Sequence, residues 1–225
     1  MLIGVVPFAA AFIYALLYSF GVVGVVNTGF TTQFWEEVLR SGEFFKSFGY
    51  SVLISGISVT ISVLLALWLA LKFTRELNRK FMSFVIYLPL AIPGVVCAFF
   101  TFQLFSKAGF FARFAHLFGW IEEAREFPDL VNDQWSLGII LTFITVVMPF
   151  FVLLFLNVYK NERIAELSQL AQSPGATPSQ TTRKVSVPII LRKTWVLIVL
   201  YFIFLLGAYE VPLILVLCRP MVIKV

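Results

Sequence analysis

Charged residues are scarce in this 225-residue chain: they make up 13% of it, whereas hydrophobic residues make up 60% and include 26 phenylalanines. Soluble domains are usually ~25% charged and ~45–50% apolar. A soluble core cannot bury this much apolar surface. The composition therefore excludes an ordinary soluble domain.

Residues that build cross-linked or metal-bound frameworks are also few. The chain has two cysteines, Cys97 and Cys218, and one histidine, His116. This supply predicts no disulfide framework and no metal site. A Gly-rich phosphate-binding loop is missing too, and no Ser/His/Asp spacing occurs. We therefore expect no enzyme and no cofactor bound by this chain, so any ATP would be hydrolysed by a separate chain.

Charges are absent from five long windows, which define the fold class. The windows cover residues 1–35, 47–71, 81–106, 134–159 and 194–209. A bilayer core needs roughly 20 apolar residues per helix, and barrel strands would instead alternate over ~10 residues. A secretory signal in the first window is disfavoured because a basic n-region is lacking. We predict an all-α polytopic transmembrane bundle, with spans near residues 2–26, 48–72, 82–106, 135–159 and 194–217.

The net charge of +5 is distributed by loop rather than gathered on one face that would suit nucleic acid. Segment 72–80 has four bases and one acid, and segment 160–193 has six bases and two acids. Segment 35–46 has three acids and two bases, and segment 107–133 has five acids and three bases. The positive-inside rule then places segments 72–80 and 160–193 in the cytoplasm. The N-terminus is predicted to be cytoplasmic and residue 225 external.

Segment 160–193 is too long for a simple helix connection, for which two to eight residues are usual. Its stretch NERIAELSQLAQ predicts a short helix, with Ile164, Leu167, Leu170 and Ala171 at helical spacing. Pro174 and Gly175 in SPGATP then predict a turn, because Pro174 disfavours helix at the residue before it and Gly175 accepts a positive φ. A second short helix would follow, capped by Thr177 or Ser179. The alternative is a solvated loop without structure of its own.

This segment resembles the cytoplasmic coupling loop of the permease subunits of binding-protein-dependent ABC importers. That family's loop reads Glu-Ala-Ala, three residues, Gly, nine residues and Ile-x-Leu-Pro. The positions that take these places here are Gln169, Leu170, Ala171, Gly175, Val185, Val187 and Pro188. The spacing matches, but Gln169 stands where the family has an acid and Leu170 where it has its first alanine.

The resemblance extends over residues 45–217. YLPLAIPGVVCAF is similar to the proline-bearing helix of these permeases, and GAYEVPLIL to a segment of the polyamine, ferric-iron and thiamine permeases. The opening helix of the family's membrane domain resembles SFGYSVLISGISVTISVLLALWLAL. We accordingly expect a first helix with its external loop at 1–44, the permease domain at 45–217, and a short external tail at 218–225. The apolar tail suggests a truncation, with the family's sixth helix absent from this chain.

Several partners are implied by the resemblance. In this family two permease subunits, identical or different, form the translocation path across the lipid bilayer. Two ATPase subunits grip the cytoplasmic loops and use ATP to switch the path between inward- and outward-facing states. An extracytoplasmic solute-binding protein delivers the substrate, whose identity the sequence does not define.

Candidate path residues lie in two spans. Pro89 and Pro93 free backbone carbonyls in the third span, which suits either a gate or a packing kink. Glu210 follows Tyr209, precedes Pro212 by two residues, and is the only acid within a predicted span. Contact with a cationic substrate is one reading. The other reading is that Glu210 reaches interfacial water, since it lies near the outer edge of the core. We expect Pro212 to break the helix.

Two further patterns concern the bilayer itself. Small residues at Ser51, Ser55, Ser58 and Ser62 predict a helix-packing seam rather than a polar conduit. Trp35, Trp120, Trp135 and Trp195 fall at predicted span ends, as an interfacial aromatic belt requires.

Two other classes remain open at this stage. An ion-gradient-driven secondary transporter would carry intramembrane charges, interrupted helices and inverted repeats. The spans here are nearly free of charge and no repeat is visible. A non-transporting scaffold subunit is the second alternative, and the departures from the family's loop motif favour it.

Overall fold

A computed structural model describes most of the chain. The described residues are 2–24, 29–77, 80–123, 126–128, 130–131, 135–173 and 175–217. They divide into two compact units, residues 1–51 and 52–225. The predicted tail 218–225 and Pro174 lie outside the described residues.

Most of the described residues are helical, and no strand occurs among them. The first unit holds α1 (Leu2–Ser19), α2 (Gln33–Arg40) and the start of α3 (Gly42–Lys72). The second unit holds the rest of α3, then α4 (Thr74–Leu77), α5 (Lys80–Tyr87), a 3-10 turn (Leu88–Ala91), α6 (Gly94–Phe105) and α7 (Phe110–Leu117). After these come α8 (Leu137–Asn161), α9 (Ile164–Gln172), α10 (Pro178–Thr181), a π-helical turn (Thr182–Ser186), α11 (Val187–Leu206) and α12 (Glu210–Leu217).

Four helical segments among the described residues are long and apolar enough to cross a bilayer. They are Gly42–Lys72, Gly94–Leu117, Leu137–Asn161 and Pro178–Leu215, and Val5–Ser19 is a shorter apolar helix. These segments overlap all five predicted spans, although Gly94–Leu117 extends beyond the predicted end at residue 106, and they confirm the predicted all-α polytopic fold. The first helix ends at Ser19, earlier than the predicted 2–26.

The third predicted span is not the single helix expected for 82–106. The chain runs through α5 and the 3-10 turn, leaves helical geometry at Ile92, and starts again in α6. Ile92 is extended, with φ −91° and ψ 123°, because the ring of the following Pro93 disfavours helical geometry at the residue before it. Pro93 then caps the start of α6.

The fifth predicted span is also interrupted, and the expected break at Pro212 was wrong. α11 ends at Leu206 with Gly207 as its cap, and α12 begins at Glu210. Pro212 lies in the first turn of α12, where a backbone N–H has no acceptor within the helix, so proline is tolerated there. The break therefore precedes Glu210 rather than following it.

The core of the second unit lies between α3, α8 and the two last helices. Its largest fully buried side chains include Phe151, Phe155, Ile164, Ile190 and Leu215. Ser55, Ser58 and Ser62 on α3 are buried as well, as a packing seam requires. Between α6 and α8, the Thr142 hydroxyl lies 2.9 Å from that of Thr101 and also faces the Gly138 carbonyl at 2.8 Å. Small and hydroxyl side chains thus join these helices.

Candidate functional site

The short helix predicted at the start of segment 160–193 is confirmed as α9. It follows α8 after a two-residue turn in which Arg163 adopts a left-handed conformation, with φ 49°. The carbonyl of Arg163 accepts the N–H groups of Glu166 and Leu167 at 3.0 and 3.2 Å. The turn reverses the chain so that α9 packs beside the end of α8.

One side of α9 is anchored to the rest of the molecule. Ile164 is fully buried in the core that also contains Ile190 of α11. One turn further on, the Ser168 hydroxyl lies 3.5 Å from that of Ser186. Ala171 continues this side and is half-buried. The burial of Ile164 fixes where α9 sits.

The other side of α9 is exposed. Gln169 and Leu167 are exposed, and Leu170 leaves 70% of its surface free. A leucine this exposed on an anchored helix gains nothing from the fold of this chain. The exposed apolar residues mark a surface on which another molecule can be bound.

Gly175 forms the turn after α9, as predicted. Its φ is +101°, a conformation that residues with a side chain rarely adopt. Its N–H donates to the carbonyl of Gln172 at 2.9 Å. A Cβ at this position would meet no atom within 4 Å, so the backbone conformation, not crowding, requires glycine.

Thr177 caps the next helix, which settles the choice between Thr177 and Ser179. The Gln180 N–H donates to the Thr177 hydroxyl at 3.3 Å, and the Thr177 N–H donates to Oε1 of Gln180 at 3.1 Å. This reciprocal pair is a capping box. Pro178 takes the first helical position, where its lack of an N–H costs nothing.

The second helix is not short, contrary to the prediction. α10 passes through the π-helical turn directly into α11, so helical structure is continuous from Pro178 to Leu206. Pro188 would clash with the carbonyl four residues before it in a regular helix. The wider π-helical turn precedes Pro188 and accommodates its ring. The segment is thus rigidly joined to a membrane-spanning helix.

The motif positions after Gly175 lie on this continuous helix. Val185 and Val187 are half-buried, and Pro188 is exposed. The π-helical turn that contains Val185 packs against α9. The structure therefore places Val185, from the second half of the predicted coupling motif, in an element that packs against the first half on α9.

An ion pair joins the two ends of segment 160–193, and the sequence analysis did not predict it. Nζ of Lys193 on α11 lies 2.8 Å from Oε1 of Glu162 at the end of α8. Opposite charges at the two ends of the polar segment were the available signal. The pair links α8 to α11 just below α9.

The candidate path residues meet where two helices begin. Pro93 is exposed and Pro89 half-buried in the interruption before α6, while Tyr209 and Glu210 are exposed in the interruption before α12. α6 and α12 pack together: a Cβ on Gly94 would lie 3.8 Å from Cγ2 of Val211. Pro212 follows, half-buried, in the same turn of α12. The two interruptions are therefore neighbours.

These features define a class: a multi-pass membrane protein with a helical surface segment carried on two of its spans. No protein-family model matches the chain. Over 200 residues it is 24% identical to the putrescine transport system permease protein PotI of Escherichia coli K12 and to that of the O6:H1 strain CFT073. The match covers 85% of this chain and 64% of each relative's length. This similarity confirms the resemblance to ABC importer permeases of the polyamine group, and with the apolar helices it supports an inner-membrane location.

Proposed function

We propose that the chain is a transmembrane subunit of an ATP-driven importer and forms part of a solute path across the cytoplasmic membrane. Segment 160–193 would couple it to a separate ATPase subunit. A second permease subunit and an extracytoplasmic solute-binding protein complete the assembly. ATP is bound by the ATPase, and this chain carries no cofactor.

The observation that carries the proposal is the two-sided character of α9. Ile164 anchors one side in the core, and Leu170 presents the other side, 70% exposed, to a partner. Arg163, Arg183 and Lys184 are exposed in the same segment. A partner groove with apolar walls and an acidic rim fits such a surface. Because Gln169 is neutral, this contact does not use the acid found in the family's loop.

Segment 160–193 is joined directly to a membrane-spanning helix, so it can transmit motion to the membrane domain. α10, the π-helical turn and α11 form one continuous helical path. The contact of α9 with this path lets a displacement of α9 reach α11, since packed helices move as bodies whereas a flexible linker would absorb the motion. By the positive-inside rule, segment 160–193 and the N-terminus would both face the cytoplasm.

The interruptions before α6 and α12, which are neighbours, support a proposal for the substrate class. Glu210 is exposed in the first turn of α12, next to the start of α6. Helices interrupted within a membrane commonly line substrate paths. A carboxylate there favours a cation, and the relatives are named for putrescine transport. We propose a small organic polycation as the substrate.

The test uses the full chain expressed with its ATPase and binding protein in proteoliposomes. Leu170→Asp places a charge on the exposed face of α9, and we expect loss of both ATPase co-purification and ATP-driven uptake. Gln172→Asp adds the same charge on the flank of α9 and serves as the matched control. Unchanged co-purification of Leu170→Asp would remove α9 from the ATPase contact.

The interruptions at Ile92 and before Glu210 also favour a second candidate, an ion-gradient-driven transporter. The two candidates differ in energy source. Uptake by the proposed importer requires ATP, is inhibited by vanadate and withstands a protonophore. Uptake that a protonophore abolishes, with ATP present and no ATPase bound, would support the gradient-driven candidate.

A further inference from the structure

The short helix α2 divides its surface into two halves. With 100° between successive residues, Phe34, Trp35, Val38 and Leu39 lie on one half. The opposite half carries Gln33, Glu36, Glu37 and Arg40. Arg40 pairs with Glu36 at 3.7 Å on this polar half. All eight side chains are exposed, including the four apolar ones.

The apolar half of α2 faces a cavity that it shares with the end of α1. The cavity has a volume of about 580 Å³ and is mainly apolar. Its walls are formed by Tyr18, Ser19, Val23, Phe34, Trp35 and Val38. Tyr18 and Ser19 belong to α1, and the last three belong to α2.

Two contacts join Phe20, the residue after α1, to α2 and to the segment just before it. The Phe20 ring stacks on that of Trp35, with centroids 6.0 Å apart. The Thr31 N–H donates to the carbonyl of Phe20 at 2.9 Å. The position of α2 is therefore tied to the point where α1 ends.

The surface of α1 identifies what covers the apolar half of α2. α1 is free of charge, and its large side chains from Val5 to Tyr18 are exposed, with Phe8 84% and Phe12 66% free. In a multi-pass membrane protein such a helix contacts lipid. Tyr18 and the mainly apolar cavity connect this lipid-facing surface with the apolar half of α2. The occupant that fits both is the bilayer.

We propose that α2 lies in the plane of the membrane interface, with its apolar half toward the acyl chains and its polar half toward water. A lipid acyl chain enters the cavity between α2 and α1. Short amphipathic helices bind bilayers in this way, with aromatic rings at the headgroup boundary. The inference needs only that α1 and α3 are in the membrane, and it does not depend on ATP coupling.

The test places a nitroxide at Leu39 or, as the matched control, at Glu36 on the opposite half. Cys97→Ala and Cys218→Ser remove the natural thiols, and the full chain is reconstituted in phosphatidylethanolamine–phosphatidylglycerol vesicles. We expect collisions of the Leu39 label with oxygen to exceed those with a water-soluble nickel chelate several-fold. The Glu36 label should show the reverse order.

Two outcomes at Leu39 would overturn the proposal. Frequent collisions with the nickel chelate would mean that water covers the apolar half. Infrequent collisions with both reagents would mean that a protein surface covers it.

A second measurement uses the native side chains and so avoids the labels. Lipids brominated high on the acyl chain should quench the fluorescence of the unmodified chain more than that of Trp35→Phe. Equal quenching of the two proteins would place Trp35 outside the lipid and contradict the proposal.

Discussion

Gly175 is the residue on which the turn between α9 and α10 depends. Replacing it with valine forces a β-branched side chain into a left-handed conformation, which costs about 1–3 kcal/mol. We expect Gly175→Val to insert in the membrane and to lose most ATP-driven uptake, because α9 can no longer fold back on the π-helical turn. Uptake by proteoliposomes is the measurement.

Gly119 supplies the control for this change. It also has a positive φ, +69°, and a Cβ there would meet no atom within 4 Å. Gly119→Val therefore introduces similar strain away from segment 160–193. Normal uptake by Gly175→Val, or an equal loss in both variants, would count against a specific role for Gly175.

Glu210 is the residue for which a substrate contact is most easily tested. Glu210→Gln keeps the size of the side chain and removes its charge. If the carboxylate binds a cationic substrate, a charged hydrogen bond worth ~1.5–3 kcal/mol becomes weaker, and we expect the KM for uptake to rise roughly tenfold or more. The chain should remain assembled with its ATPase.

Glu122 offers a matched comparison for the Glu210 variant. It is exposed in the segment between α7 and α8 and accepts no substrate in this account. Glu122→Gln should leave uptake unchanged. An unaltered KM in Glu210→Gln would instead assign Glu210 to interfacial water.

At the scale of elements, the Glu162–Lys193 pair joins α8 to α11 at the base of α9. Both side chains are partly exposed, 35% and 54%, so the pair stabilises the fold by only about 0.2–1 kcal/mol. Its larger effect would be on the position of α9. We expect Glu162→Lys and Lys193→Glu each to reduce ATP-driven uptake, because each places two like charges side by side where the native chain has an ion pair.

The double exchange, Glu162→Lys with Lys193→Glu, tests that pairing directly. It restores opposite charges at the same two positions, and uptake should recover relative to either single variant. If the double variant is as impaired as the sum of the singles, the two side chains act independently and the proposed positioning role is wrong.

The helices also show which parts of the fold could be predicted from hydrophobic periodicity and from turn-forming residues. Apolar runs without charge predicted the spans, because burial in lipid or core dictates that pattern. The helical spacing of Ile164, Leu167 and Leu170 predicted α9, although of these three only Ile164 is buried. Prolines were harder to interpret. Pro93 interrupts a span and Pro212 does not, since the outcome depends on whether the residue lies before a helix or in its first turn.

Long-range features were not accessible from the sequence. The continuity of α10 with α11 depends on a π-helical turn, and Pro188 alone did not distinguish such a turn from the end of a helix. The meeting of the interruptions before α6 and α12 depends on how distant helices pack. The motif spacing from Gln169 to Pro188 located the candidate site, but only the structure indicates which of its residues face outward.

At the scale of the whole molecule, the membrane location and the orientation of the chain are inferred from its composition and charge distribution. Apolar helices place the chain in a membrane, and the basic segments predict which loops face the cytoplasm. In the proposed function, the anchored helix α9 with its exposed Leu170 is the surface that a separate ATPase would bind. The orientation and the proposed ATPase contact are both wrong if segment 160–193 lies on the other side of the membrane.

Thiol labelling at Thr182 tests this most directly. Thr182 is exposed in the π-helical turn, and Thr182→Cys is made in the chain with Cys97→Ala and Cys218→Ser. The account predicts that a membrane-impermeant maleimide leaves this thiol unlabelled in intact cells and labels it in inverted vesicles. Labelling in intact cells would put the segment outside, where no ATPase can reach it.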